Sequence, residues 1–248
     1  MIHLKSEEDL KQMRLAGVIL ARIMRQLRQS IEPGMTTGEI DKIAAELAQK
    51  EKVIAAFKDY KGYPASICAS VNDEIVHGIP GIRSLEEGDI LSLDFGINYQ
   101  GYFSDTAFTV GIGKINPKCK KLIEVTKQSL AEGIKKARVG NRLSDISHAV
   151  QDHVEKHGFS VVRQFVGHGI GRNLHEDPEI PNFGMAGRGP LLKHGMVLAI
   201  EPMVNMGSWE SEIIENDWTA VTKDGLPSAH FEHTIAVTDN GPEILTAE

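Results

Sequence analysis

Hydrophobic residues recur at helical spacing through the first thirty positions. Met13, Ala16, Leu20, Met24 and Leu27 mark one face of an amphipathic helix that opens after Ser6, an N-cap residue, and stops at Pro33-Gly34. Thr36 with Glu39 three residues on is a capping-box signature, and Ile40, Ile43, Ala44 and Leu47 carry a second helix along one face. The period then changes. SICASV, GDILSLDFG and GYFSDTAFTV are runs of β-forming residues set between Gly, Pro and Asn, and they predict strands. Asn116-Pro117 joins a cap to a proline at the first helical position, leading into a third helix through Ile123, Leu130, Ile134 and Ala137. Ile146, Ala149 and Val150 mark a fourth, and SVVRQFVG, MVLAIEPMV and HFEHTIAVT return to strand-like runs.

Helix, helix, strands is therefore written twice. Gly34 recurs as Gly140, Ile40 as Ile146 and Ala44 as Val150, all at a step of 106, and GDILSLD lies over GMVLAIE at a step of 107. Helices and strands falling at nearly one offset point to an internal duplication. Nothing between the halves resembles a flexible linker. The expectation is an α+β fold of one domain, 1–248, with pseudo-two-fold halves of about 1–113 and 114–248 arranged around a central antiparallel sheet.

The composition narrows what such a domain can do. With 248 residues, 41% of them hydrophobic, the chain can bury a full core, and its formal net charge of -7 lacks the basic patch of a duplex nucleic-acid binder or a polybasic membrane anchor. The apolar stretch Leu15 to Ala21 is too short to span a bilayer, and the opening MIHLKSEEDL lacks signal-peptide architecture, so a cytoplasmic protein is expected. Only Cys68 and Cys119 are present, without a C-x-x-C, which excludes a disulfide scaffold or a cysteine zinc site. Any metal must be held by histidine and carboxylate.

Two acids stand where acids are rare. Asp94 interrupts ILSLDFG and Glu201 interrupts VLAIEPM, each inside a strongly apolar run and each at the same place in the duplication. Either alone reads as a strand-end acid in an ion pair; their equivalence weakens that reading. Asp105 follows in GYFSDTAFT, and pairing the two strands symmetrically about Tyr99 and Gln100 puts Asp94 directly opposite Asp105 on one face. Glu201 and Glu232 form the matching pair in the second half, joined by the longer connection Asn205 to Ser228. Four carboxylates in one cavity cannot all ionise near neutral pH unaided, whereas two divalent cations balance their charge.

An added imidazole suits manganese, iron(II), cobalt or zinc, and His168 in Val166-Gly-His-Gly-Ile-Gly is the best candidate. Its bland alternative is a turn histidine in a glycine-rich loop. That segment lacks the G-x-G-x-x-G frame and the Lys-Ser/Thr of a P-loop. His77 in VHGIP and His175 in NLHEDP each read individually as ordinary loop histidines. His230 and His233 flank Glu232 and are left out of the catalytic set, since alternation keeps His230 on the Glu232 face only if it stays in the strand. Cys68 has no cysteine-protease signature around it and reads as a buried thiol lining a pocket.

These residues together carry a resemblance. YPASICASVNDEIVHGIP, LSLDFG followed by SDTAFT, GHGIGRNLHEDP, the IEPM strand and HFEHT resemble the type I methionine aminopeptidases, the short bacterial-type form with the pita-bread fold, over nearly the whole chain. The resemblance implies removal of the N-terminal initiator methionine from nascent proteins whose second residue is small, by attack of a metal-bridged water or hydroxide on the first peptide bond. It implies two divalent ions (cobalt, manganese, iron(II) or zinc) on Asp94, Asp105, His168, Glu201 and Glu232, with Asp105 and Glu232 bridging. It further implies Glu201 as the proton carrier, His175 on the scissile carbonyl and His77 on the leaving-group side. Tyr60, Tyr63, Cys68 and Trp218 match the methionine pocket, while Phe57 and Leu174 fall at its more variable positions. The partners implied are nascent N-terminal peptides and the ribosome, for a monomer without nucleic-acid or membrane binding. A proline-specific peptidase of the same fold, a peptide-binding relative lacking the ligands, and a metal-free hydrolase are the alternatives. Metal content separates the last two from the first reading.

Overall fold

Four helices form where the apolar period predicted them. They are α1 (Glu7–Ser30), α2 (Thr37–Lys50), α3 (Pro117–Lys136) and α4 (Leu143–Lys156) in the computed structural model, which describes residues 1–247. Ser6 caps α1 by accepting from the Asp9 N–H while the Asp9 carboxylate accepts from the Ser6 N–H, and Thr36 with Glu39 does the same for α2. Asn116 accepts from the Cys119 N–H at the start of α3, with Pro117 at the first position, where its missing N–H costs nothing.

The main sheet has nine antiparallel strands. Its path runs Ile54–Ala55, Ile90–Tyr99, Tyr102–Gly111, Glu232–Thr238, Val197–Ile200, Gly167–Gly169, Glu176–Ile180, with Cys68–Val71 also on Ile90–Tyr99 and Gly241–Ile244 also on Glu232–Thr238. Strands from both halves of the chain thus share one sheet, and the seam is the pairing of Tyr102–Gly111 with Glu232–Thr238. Period-two alternation divides its faces. Leu91, Leu93, Phe95 and Ile97 are fully buried against Leu20, Ile23 and Leu27 of α1 and Ile40 and Ala44 of α2. Asp94 alternates with them and points to the other face. Leu122 and Val125 of α3, Val150 and Val154 of α4, and the strand residues Val161 and Val204 close the equivalent core of the second half.

Three expectations change. The hairpin turns on Gln100 and Gly101, both at positive φ, and pairs Tyr99 with Tyr102, so Asp94 lies opposite Ala107 and Asp105 opposite Gly96. A turn centred one residue later shifts the register by two, which keeps both acids on one face but makes them diagonal neighbours. The runs MVLAIEPMV and HFEHTIAVT are each two strands, not one. Val197–Ile200 and Glu232–Thr238 pair in the main sheet, whereas Met203–Asn205 and Ser228–His230 pair in a second, three-stranded sheet. Pro202, with no N–H to give, stands at the break. SVVRQFVG is likewise split, into Ser160–Val161 and Gly167–Gly169.

The segment around His168 is a sheet strand rather than a turn. A Cβ on Gly167 would come within 2.4 Å of the Ala199 carbonyl oxygen, and one on Gly169 within 2.1 Å of that of Asp177. Close approach of neighbouring backbones, not an unusual dihedral, requires glycine on both sides of His168. The long connection to Ser228 also gains structure that its composition did not announce. Ser211–Ile213 and Ala220–Thr222 form a third sheet with Glu74–Val76.

Candidate metal centre and active site

The sheet register brings the acids together. Asp94 lies opposite Ala107, and Ala107 opposite Glu232 on the next strand, so one row crosses the seam with all side chains on the same face. Antiparallel pairing of His233 with Ile200 carries that row to Glu201, just beyond its strand. Asp105 is two positions along, on the same face as Ala107, and there Thr234 Oγ1 accepts from its N–H at 3.1 Å and donates to its carbonyl at 2.7 Å. His168, paired with Ala199, completes the cluster. Glu201 and Glu232 sit where their ribbon changes sheets, which turns both carboxylates inward at the bend.

Asp105, His168 and Glu232 each offer a ligand atom within 4.8 Å of the others. Glu201 Oε1 lies 3.5 Å from His168 Nε2. Asp94 Oδ1, Asp105 Oδ1 and Glu232 Oε1 are buried without a hydrogen-bond partner. Three orphaned buried carboxylate oxygens on residues lining one cavity are costly and fit hard divalent cations. Burial pushes the Asp94 carboxyl up to about 7. Burial first, and then neighbouring carboxylates, hold Asp105, Glu201 and Glu232 well above the usual range. Burial lowers His168 to about 4, leaving a neutral imidazole, the form that ligates metal.

A cavity of about 180 Å³ adjoins the acids. Phe57, Tyr60, Tyr63, Cys68, Leu174 and Trp218 give the rest of its wall a largely apolar and aromatic surface. Tyr63 Oη donates to the Gly78 carbonyl at 2.9 Å, and its ring meets the edge of Trp218 at 5.1 Å. The Asn205–Ser228 connection delivers Trp218, so its hairpin serves the cavity. Cys68 lies directly across from Asp94, and burial raises its thiol, so it is a neutral pocket wall and not a nucleophile.

His77 and His175 both line the cavity. His77 holds a left-handed φ of 59°, sparse for a residue with a side chain, and its ring stands edge-on to Phe165 at 5.5 Å. The His175 ring lies 4.2 Å from that of His168, and its Nδ1 is 2.9 Å from Tyr60 Oη. All eleven side chains singled out in the sequence therefore converge on one place. His230, set aside there, is fully buried with Nε2 3.8 Å from Glu201 Oε2, and no hydrogen bond satisfies that nitrogen. It does not stay in the strand of Glu232 but belongs to Ser228–His230 of the second sheet, and the change of sheet at Phe231 still leaves it beside Glu201. His233 does point the other way, its Nδ1 2.8 Å from Thr246 Oγ1.

Comparison with known proteins identifies the family. Residues 11–239 match the model of metallopeptidase family M24. A methionine aminopeptidase of Clostridium perfringens is 53% identical over 99% of both chains. The chain belongs to the methionine aminopeptidases of family M24. The crystal structure of methionine aminopeptidase from Thermotoga maritima superposes with a TM-score of 0.98 at 47% identity, covering 100% of each chain. The Xaa-Pro dipeptidase of Bacillus anthracis shares the pita-bread fold with a TM-score of 0.79, at 22% identity, but this chain spans 62% of its length. Membership makes the protein a metallopeptidase, using divalent metal and taking peptides by their N-terminus. Among the described residues no helix is long and apolar enough to cross a membrane.

Proposed function

We propose that the protein removes the initiator methionine from nascent chains whose second residue is small, using two divalent ions held by Asp94, Asp105, His168, Glu201 and Glu232. The observation that carries this reading is the set of unpartnered buried carboxylate oxygens beside an apolar cavity of side-chain size. Asp105 and Glu232, on adjacent strands across the seam, would be the ligands common to both ions, and His168 and Glu201, with Nε2 and Oε1 3.5 Å apart, would serve one of them. When bound, the ions supply Lewis acidity and an activated water.

The chain's own groups do the rest. Tyr60, Tyr63, Cys68 and Trp218 enclose an unbranched thioether on polarizable and aromatic surface. Glu201, its proton affinity raised by burial, takes the proton of the attacking water and returns it to the leaving amine. His175 hydrogen-bonds the scissile carbonyl as charge develops on its oxygen, and His77 contacts the leaving-group side. Strands of both halves in one sheet support a single catalytic domain over 1–248. The reading extends to a cytoplasmic monomer that meets its substrates at the ribosome and binds neither nucleic acid nor membrane.

Release of free methionine from Met-Ala-Ser and Met-Leu-Ser tests the proposal, with chelator-stripped protein titrated with manganese, iron(II), cobalt and zinc. The expected result is metal-dependent cleavage of Met-Ala-Ser, much weaker on Met-Leu-Ser and absent in Asp105→Asn. No cleavage by folded protein with any of the metals would overturn it.

A further inference from the structure

We propose that Tyr60 is a positioning residue: its hydroxyl donates to His175 Nδ1 and so fixes the imidazole in the tautomer that carries hydrogen on Nε2. The proposal rests on the reading of His175 as the donor to the scissile carbonyl. A neutral imidazole has one N–H and one bare nitrogen, and which is which depends on what each nitrogen faces. Here Tyr60 Oη lies 2.9 Å from Nδ1, within hydrogen-bond distance. The two rings stack with centroids 5.3 Å apart and planes 22° from parallel, so the contact fixes the orientation of the imidazole as well as its tautomer. Burial raises the Tyr60 phenol, so it stays a neutral O–H, and its donation to Nδ1 is the arrangement that leaves the ring a hydrogen for substrate.

Tyr60 is itself held by its local backbone. It opens a short 3-10 turn, Tyr60–Gly62, after Asp59 at φ 63°, and its N–H donates to the Phe57 carbonyl at 2.9 Å. A donor at Nδ1 leaves Nε2–H as the only hydrogen the ring can present to substrate. Without it the ring divides between two tautomers, and the one with bare Nε2 repels a carbonyl oxygen. Tyr60 therefore has two separable tasks, its ring as pocket wall and its hydroxyl as tautomer lock, and Tyr60→Phe removes only the second.

The test pairs a spectroscopic with a kinetic readout. Long-range ¹H–¹⁵N spectra of ¹⁵N-histidine protein, with zinc bound and with His175→Gln used for assignment, should show His175 as Nε2–H in the wild type and as a tautomer mixture in Tyr60→Phe. On Met-Ala-Ser, kcat in Tyr60→Phe should fall about five- to tenfold, the worth of one hydrogen bond, with KM little changed because the ring still lines the pocket. A wild-type His175 protonated on Nδ1 would overturn the proposal. So would an unchanged tautomer in Tyr60→Phe, or a changed tautomer with undiminished kcat. Full activity in His175→Ala, which has no side-chain donor, would overturn the carbonyl-donor reading underneath it, and the spectrum tells the two failures apart.

Discussion

Asp94 shows how much a single residue can set against folding for the sake of a site. Its carboxyl has an ordinary value of 3.8 and is pushed by burial up to about 7. Between those values the folded chain keeps a proton that the unfolded chain has released, so folding is favoured by low pH. This contribution is complete below about pH 4 and is lost as pH rises through about 7. Chelator-stripped Asp94→Asn should therefore gain stability relative to stripped wild type as pH rises from 4 to 7, read as a widening difference in urea midpoint. A difference that is constant or narrows over that range would contradict the buried-acid account. The five acids and histidines of the proposed centre were legible in the chain because carboxylates inside apolar strands stand out against their surroundings. His230 was not, because the run HFEHTIAVT gives no sign that the strand breaks at Phe231.

At the level of elements, the segment before α1 braces the turn that carries His175. Lys5 and Glu176 form an ion pair with side chains only 8% and 6% exposed, and the Lys5 N–H donates to the Gly195 carbonyl. Glu176 also accepts from the Asn173 N–H at 3.1 Å, closing the turn. Breaking a buried pair strands one charge, so Lys5→Ala should cost about 3–5 kcal/mol, seen by denaturant unfolding, while Lys5→Met with Glu176→Leu should recover most of it. If the single variant proves as stable as the double, the pair is not a brace. Helix positions were readable here because caps and a 3.6-residue period are local signals. Strand ends were less so: MVLAIEPMV reads as one strand, yet its halves belong to different sheets, and nothing within nine residues records which partner each half will meet.

Across the whole molecule, each half supplies two of the four buried carboxylates, and only the sheet seam makes them neighbours. Their mutual repulsion is relieved by whatever cations they hold, so metal and folding are linked. At a free metal concentration a hundred times Kd, mass action adds about 2.7 kcal/mol, which for a chain of this size raises Tm by about 5–10 °C. Differential scanning calorimetry should show that rise on adding manganese to stripped protein and its absence in Asp105→Asn; an equal response in the variant would place the bound metal elsewhere. The chain by itself determined the four helices, the strand vocabulary, the acid and histidine set and the family they mark, since each depends on residues near one another in sequence. Tertiary structure decided the hairpin register about Gln100-Gly101, the sheet switch at Pro202 and Phe231, the delivery of Trp218 and the contact of Tyr60 with His175. Those depend on pairing between segments up to more than a hundred residues apart, whose geometry is fixed by what each strand meets and not by what it spells.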